Sequence, residues 1–290
     1  MDNPFQINYP DQVDSELVNM AVGGDKNALQ SLIMRHQVFI YNLALKMTRS
    51  VEDAEDLTQE VFIKAITGLG KFQGKSKFRT WLYRITINHF LKTRKRRAEF
   101  VITDFENYFD SIDRIPDNEL NDQEQKELAE SIEEIRISCT AGMLLCLDRD
   151  QRMIYILGEM FGIDHQIGSE ILEISSGNFR IRLMRARKDL YNWMNARCGL
   201  VNKSNPCRCS KKTKAFIEAG FVDPDNLIFN SRYRHQMVEL SRDKATSISN
   251  TIEDLHKNIF LSHPLQEPLT ATKIVEEIFS NDLIKRILDV

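Results

Sequence analysis

Apolar residues recur at spacings of three and four along Lys26 to Met47, through Leu29, Leu32, Ile33, Phe39, Ile40, Leu43, Ala44 and Met47. Such a stripe lies on one face of an α-helix and cannot lie on one face of a strand. A second stripe, Ala54, Leu57, Val61, Phe62 and Ala65, marks a helix from Val51 to Ile66. Gly23-Gly24-Asp25 separates the long helix from a shorter one that starts at an N-cap near Asp14-Ser15 and runs to about Val22. Residues 1 to 13 read as a loose arm. After a loop marked by Gly68, Gly70 and Gly74, a fourth helix is expected from near Ser76 to about Arg97, with Phe78, Trp81, Leu82, Ile85 and His89 facing inward. His36 lies within the first stripe and reads as a core or boundary histidine. No strand alternation appears in this part, so it is expected to be a small helical bundle.

The net charge of the 290 residues is only −3, but the charges are segregated. Lys64 to Arg97 carries eleven Lys or Arg and no acid, with five aromatics among them: Phe72, Phe78, Trp81, Tyr83 and Phe90. Cations that track phosphates and rings that stack on unpaired bases are what single-stranded nucleic acid requires. Just upstream, Glu52 to Glu60 carries five acids and no base. That block would be repelled by the same phosphates and is expected to meet a basic protein partner. DNA on one side and a protein on the other suggest an adaptor.

From Glu99 to Glu134 the charge inverts, with thirteen acids against Arg114 and Lys126. Two readings stand: a solvated linker, or a DNA-mimicking strand that occupies a basic channel. Helical periodicity resumes near Leu128 through Ile132, Ile135, Cys139, Met143 and Cys146, which makes Cys139 and Cys146 small core hydrophobes. Leu147 to Asp150 is a turn and N-cap before a helix over Gln151 to Met160. A short helix over Asp164 to Leu172, a tight turn at Glu173 to Ser175, and a helix from Ser176 then form a helix-turn-helix pattern. The second helix is basic, with a net of +5 over Ser176 to Arg197. Its polar first turn is where a recognition helix contacts a major groove; Ile181, Met184 and Leu190 are assigned to its core side.

These segments resemble the extracytoplasmic-function sigma factors of bacterial RNA polymerase. The resemblance covers about Asp14 to Met194 and rests on DAEDLTQEVFIKAI, on KFRTWLYRITINHF with the following KTRKRR, and on ISSGNFRIRLMRAR. It implies two small helical domains, region 2 over 14–98 and region 4 over 128–197, joined by an acidic linker over 99–127 that enters the polymerase active-site channel. It implies that Asp53, Asp56, Gln59 and Glu60 face the polymerase clamp. The opened −10 promoter element would meet Phe72, Lys75, Ser76, Lys77, Arg79, Tyr83, Arg84 and Asn88. The −35 element would meet Ser176, Asn178, Arg180, Arg182 and Arg185. Family members commonly have a small β-branched residue where Phe179 stands and a small polar one where Ile181 stands. The apolar pair therefore implies a relaxed or unusual −35 preference.

Family members also usually end near Met194, whereas residues 198–290 form an extension here. It opens with RCGLVNKSNPCRCSKK. Three thiolates, Cys198, Cys207 and Cys209, suit zinc, and a closed site needs a fourth ligand. His235 and His165 are candidates; a redox switch and metal-free structural thiols are the alternatives. A short helix over Lys211 to Ala219, ended by Gly220, and a turn at Asp223 to Asp225 follow. Helices are expected near Tyr233 to Ser241, Ser249 to Asn258 and Thr270 to Leu288. The last carries an apolar stripe that must be buried against the extension, region 4 or a regulator.

The expected fold class is therefore all-α, and the expected role is a transcription-initiation factor that binds core RNA polymerase and promoter DNA without catalysis. No cofactor is required, and the Cys cluster is a candidate zinc site. An anti-sigma, regulatory or recruiting protein on the extension is a further expected partner. The N-terminal sixteen residues have no signal-peptide pattern and no apolar run approaches membrane-spanning length, so a cytoplasmic protein is expected. The alternative is a stand-alone helix-turn-helix regulator, against which the acidic helix argues. An enzyme with a Cys-rich tail has little to recommend it.

Overall fold

The computed structural model describes residues 4–5, 8–228, 259–261, 263, 265 and 271–287. Among these the regular structure is helical, and the one β-type contact is an isolated bridge between Cys198 and Cys207. The expected helices over 233–241 and 249–258 lie outside the described residues. By contact, the chain forms two compact units: Met1–Arg96 with Ile156–Leu183 and Glu267–Val290, and Arg97–Tyr155 with Met184–Gln266.

The first unit is built on α1 (Asp11–Val22), α2 (Lys26–Thr48), α3 (Val51–Gly68) and α4 (Phe78–Lys92). Local chemistry sets their ends. The Asp25 carboxylate accepts from the amides of Asn27 and Ala28 at the start of α2, and Ser50 caps α3 through the Asp53 amide. Ile33, Ile40, Leu43, Ala44, Ala54, Leu57 and Val61 form the core between α2 and α3. Each large aliphatic side chain buried there contributes roughly 1.5–3 kcal/mol of transfer free energy. Phe5, in the segment expected to be a loose arm, is buried among Phe39, Tyr83 and Phe161, with ring centroids 4.7–5.8 Å away. The basic segment is shorter in helix than expected, because α4 stops at Lys92 and a separate turn, α5 (Arg97–Val101), begins the other unit.

The same unit holds a π-helical stretch over Ile156–Met160, α10 (His165–Leu172) and the first two turns of α11 (Ser176–Arg197). The Asp164 carboxylate caps α10, and Glu173, at φ 55°, makes the left-handed turn that redirects the chain into α11. α10 packs on α4. The last apolar stripe forms two helices, here α13 (Ala271–Ser280) and α14 (Asp282–Ile287), rather than one. Ile274, Val275, Ile278 and Ile284 are buried, and both helices pack against α3.

In the second unit the acidic stretch is not solvated linker throughout, because part of it forms packed helices. α6 (Phe105–Asp113) buries Phe105, Tyr108, Phe109 and Ile112, and α7 (Asp122–Glu127) starts from an Asn121 capping box. Trp193 of α11 stacks on Phe105 and Phe109, at 5.7 and 6.2 Å. Glu99 is buried between Arg149 (2.6 Å) and Arg152 (3.0 Å), which join it to α9 (Arg149–Tyr155). α8 (Ala129–Leu145) is the central helix, and α12 (Cys209–Glu218) packs along it. Gly220, at φ 72°, ends α12 as the sequence suggests.

Candidate functional site

The acid-rich side of α3 faces outward at Asp56 and Glu60, while Asp53 and Gln59 are half-buried. Two of these acids already have partners. Glu60 Oε2 lies 2.7 Å from His89 Nε2, and Asp53 Oδ1 lies 3.4 Å from Arg96. Lys64 Nζ donates to His89 Nδ1 at 2.5 Å, so the ring is neutral with its proton on Nε2, directed at Glu60. Burial is the main cause that holds His89 below the usual histidine range, and the charges of Lys64 and Arg96 add to it against the Glu60 bond.

The residues expected to meet the −10 element are divided by the fold. Lys75, Lys77 and Asn88 are exposed, and Phe72, Ser76 and Arg84 are half-buried. Phe72 rests on Phe78 and Trp81, at 5.9 and 5.3 Å. Gly74, at φ 66°, gives the loop a left-handed turn that carries Lys75 to Lys77 outward. Lys77 pairs with Asp11 at 2.8 Å. Arg84 donates to the Glu170 carbonyl at 2.8 Å and pairs with Glu173 at 3.3 Å, both on the α10 side of the hairpin.

Arg79 and Tyr83, by contrast, point inward. Arg79 is 2 % exposed, donates to the Pro4 carbonyl at 2.7 Å, binds Asp11 at 2.8 Å and lies over the Tyr9 ring. Tyr83 is fully buried against Phe5 and His36. The expectation that these two side chains reach DNA is corrected: in this arrangement they anchor the N-terminal arm. The physical reason is helical phase, since positions 79 and 83 share the face of α4 that also carries Leu82, Thr86 and Phe90.

A polar network that the sequence reading missed supports the same face. The buried Asp14 carboxylate accepts from the Tyr9 hydroxyl (3.0 Å) and Arg35 Nε (2.9 Å), and its other oxygen lies 3.0 Å from His36 Nε2. Burial alone would push this carboxyl up, but the bonds and charges of His36, Arg35 and Tyr9 outweigh it and hold Asp14 below the carboxylate range. His36 is thus a core histidine with a partner. Only its place in the apolar stripe was visible in sequence.

On α11, Arg180, Ile181, Met184, Arg185 and Lys188 are exposed on one face, with Ser176, Asn178 and Arg182 half-buried. Arg182 Nε donates to Asn178 Oδ1 at 3.1 Å, which pre-orients both side chains. Phe179 is not groove-facing. It is 1 % exposed and fills the space above Gly168, where a Cβ would stand 2.6 Å from its ring. The core side of α11 is Phe179, Ala186, Leu190 and Met194, and the assignment of Ile181 and Met184 to the core is corrected to the exposed face.

In the second unit Cys198, Cys207 and Cys209 line a single cavity of about 50 Å³. Cys139 of α8 lines it too. His165 is not among its lining residues and sits beside Asp164 at the start of α10; His235 lies outside the described residues. Burial pushes all four thiols up, to about 11 for Cys207 and about 12 for Cys209.

The model of Sigma-70 region 2 matches residues 32–100, and that of Sigma-70 region 4 matches residues 139–190. The RNA polymerase sigma-H factor of Pseudomonas aeruginosa is 33 % identical over 181 residues, which span 60 % of this chain and 90 % of that protein. The ECF RNA polymerase sigma-E factor of Escherichia coli is 31 % identical over 185 residues, 62 % of this chain and 93 % of the relative. The chain belongs to the extracytoplasmic-function sigma factors. As a sigma factor it directs the initiation of transcription at promoters, and the stand-alone regulator is not favoured. A solved structure, of CnrH in complex with the cytosolic domain of CnrY, matches with a TM-score of 0.43 at 22 % identity, covering 63 % of this sigma factor and 98 % of that chain. The matched segments of this sigma factor stop at residue 190, so the cysteine cluster after Arg197 lies beyond both family models. No described helix of the sigma factor is long and apolar enough to cross a membrane.

Proposed function

We propose that this sigma factor docks on core RNA polymerase through the α3 face that carries Asp53, Asp56, Gln59 and Glu60. The opened −10 strand would then lie along Phe72, Lys75, Ser76, Lys77, Arg84 and Asn88, and the −35 duplex along Ser176, Asn178, Arg180, Arg182 and Arg185. The observation that carries the reading is the exposure of Asp56 and Glu60 on one helix of a unit whose loop exposes Lys75 and Lys77. Opposite charges held apart on one rigid bundle serve two partners of opposite charge. Arg79 and Tyr83 act indirectly, by holding α4 and the arm in place. Sigma factors are not enzymes, and this one acts by binding energy, offsetting the few kcal/mol per step needed to unstack DNA. We assign its work to the cytoplasm, and residues 198–290 to contact with a regulatory or recruiting protein.

Charge reversal at Asp56 tests the polymerase assignment. Asp56→Lys changes an exposed side chain, so helix content should be unchanged. Affinity for core polymerase should fall by about tenfold or more, roughly 1.4 kcal/mol. Equal affinity of variant and parent in a fluorescence titration with core enzyme refutes the assignment.

A further inference from the structure

We propose that Cys139, Cys198, Cys207 and Cys209 bind one zinc ion as four thiolates, fastening the start of the C-terminal extension to α8. Three of these residues lie within twelve positions of one another, and Cys139 joins them from 59 positions away. All four line one cavity, walled otherwise by Phe109, Ile112, Met143 and Leu200, by Gly199, and by the polar residues Thr140 and Arg208. Four sulfurs complete the tetrahedral shell of a closed structural site.

The backbone supports the same reading. The chain turns immediately after Cys198, whose carbonyl accepts from the amides of Val201 (3.3 Å) and Asn202 (3.1 Å). The bridge between Cys198 and Cys207 brings the two ends of the loop together, and Gly199 leaves room for Arg208 to pass close by. Arg208 donates to the Asn205, Cys207 and Lys203 carbonyls and so pins the loop. A zinc ion with four thiolates carries a net charge of −2. Arg208, which also lines the cavity, sets a positive charge beside it. Cys146 does not line the cavity and is excluded. Among the described residues no three such side chains already stand in ligating geometry. Loading therefore draws the thiols inward, and each gives up its proton to solvent with no redox change.

The full-length chain, reduced and stripped by a chelator, should be titrated with Co²⁺ alone. The expected result is one equivalent bound, with the thiolate-to-cobalt charge-transfer bands of a tetrahedral site, which Zn²⁺ then displaces. Absence of those bands, or an octahedral spectrum, overturns the proposal. Cys146→Ser should titrate like the parent, whereas Cys139→Ser should lose more than about a hundredfold in affinity, beyond what a supporting residue costs. Parent-like binding by Cys139→Ser overturns the role of Cys139. X-ray absorption on the zinc-loaded parent needs no variant and counts ligands directly. Four sulfurs at about 2.3 Å are expected, and three overturn the four-thiolate site.

Discussion

Lys46 offers a test in which burial sets the sign and the order of magnitude. It sits in the last turn of α2 with 5 % exposure, and burial lowers its ammonium from 10.5 to about 8. At pH 7 the group is charged in the folded and the unfolded chain alike, so the folded state bears the whole desolvation cost. At about 1.4 kcal/mol per pH unit of displacement, that cost is roughly 3 kcal/mol. Between pH 8 and 10.5 the unfolded chain holds a proton that the folded chain has released, so stability rises with pH across that window. Lys46→Met keeps the length of the side chain and removes the charge. It should stabilise the protein by roughly 2–3 kcal/mol at pH 7, and its advantage should shrink steadily from pH 8 to 10. Urea unfolding of parent and variant at each pH gives this difference directly, since other titrating groups cancel in the comparison. A difference that stays constant with pH, or a variant less stable than the parent at pH 7, refutes the buried-charge account.

Three further outcomes follow from the site. Replacing Lys75, Lys77 and Arg84 by Ala should reduce promoter opening, read by permanganate reactivity of unpaired thymines, with a weaker dependence on salt because fewer phosphates are contacted; normal opening places the melting surface elsewhere. Phe179→Ala should cost about 3–5 kcal/mol in stability, whereas Ile181→Ala should leave stability within about 0.5 kcal/mol and instead change which upstream sequences are selected from a random pool, since an apolar tip on that face can meet a thymine methyl. The depressed Asp14 carboxyl predicts stability that is intact above the ordinary carboxylate range, near 3.8, and lost as pH falls through the lower folded value; acid unfolding of Asp14→Asn should lack that component.

Much of the helical frame was legible because it is written in local terms. The stripes of α2 and α3, the Asp164 cap and the turn before Ser176 each depend on residues within a few positions of one another. The N-terminal arm was not, because single aromatics such as Phe5 and Tyr9 in a short polar stretch have no period to read. Ile181 and Met184 were misassigned because their spacing with Leu190 suggested a different helical phase, and only the absence of a side chain at Gly168 shows that Phe179 turns inward instead. The acidic stretch looked solvated because Phe105, Tyr108 and Phe109 are few among many acids, and their partner Trp193 lies more than eighty residues away. That Cys139 of α8 shares a cavity with Cys198, 59 positions away, likewise leaves no mark in local spacing.

The position of Arg84 bears on the order of events at a promoter. One guanidinium here holds the Glu170 carbonyl and the Glu173 carboxylate, so the same fork cannot also grip a phosphate. A half-exposed pair of this kind is worth at most about 1 kcal/mol, which makes it a weak latch between α4 and α10. A strand of DNA can open it readily at low ionic strength and less readily as salt screens the incoming phosphates. On the proposed reading, capture of the melted strand by Arg84 would be an exchange, in which a phosphate takes the place of the Glu170 carbonyl and the Glu173 carboxylate.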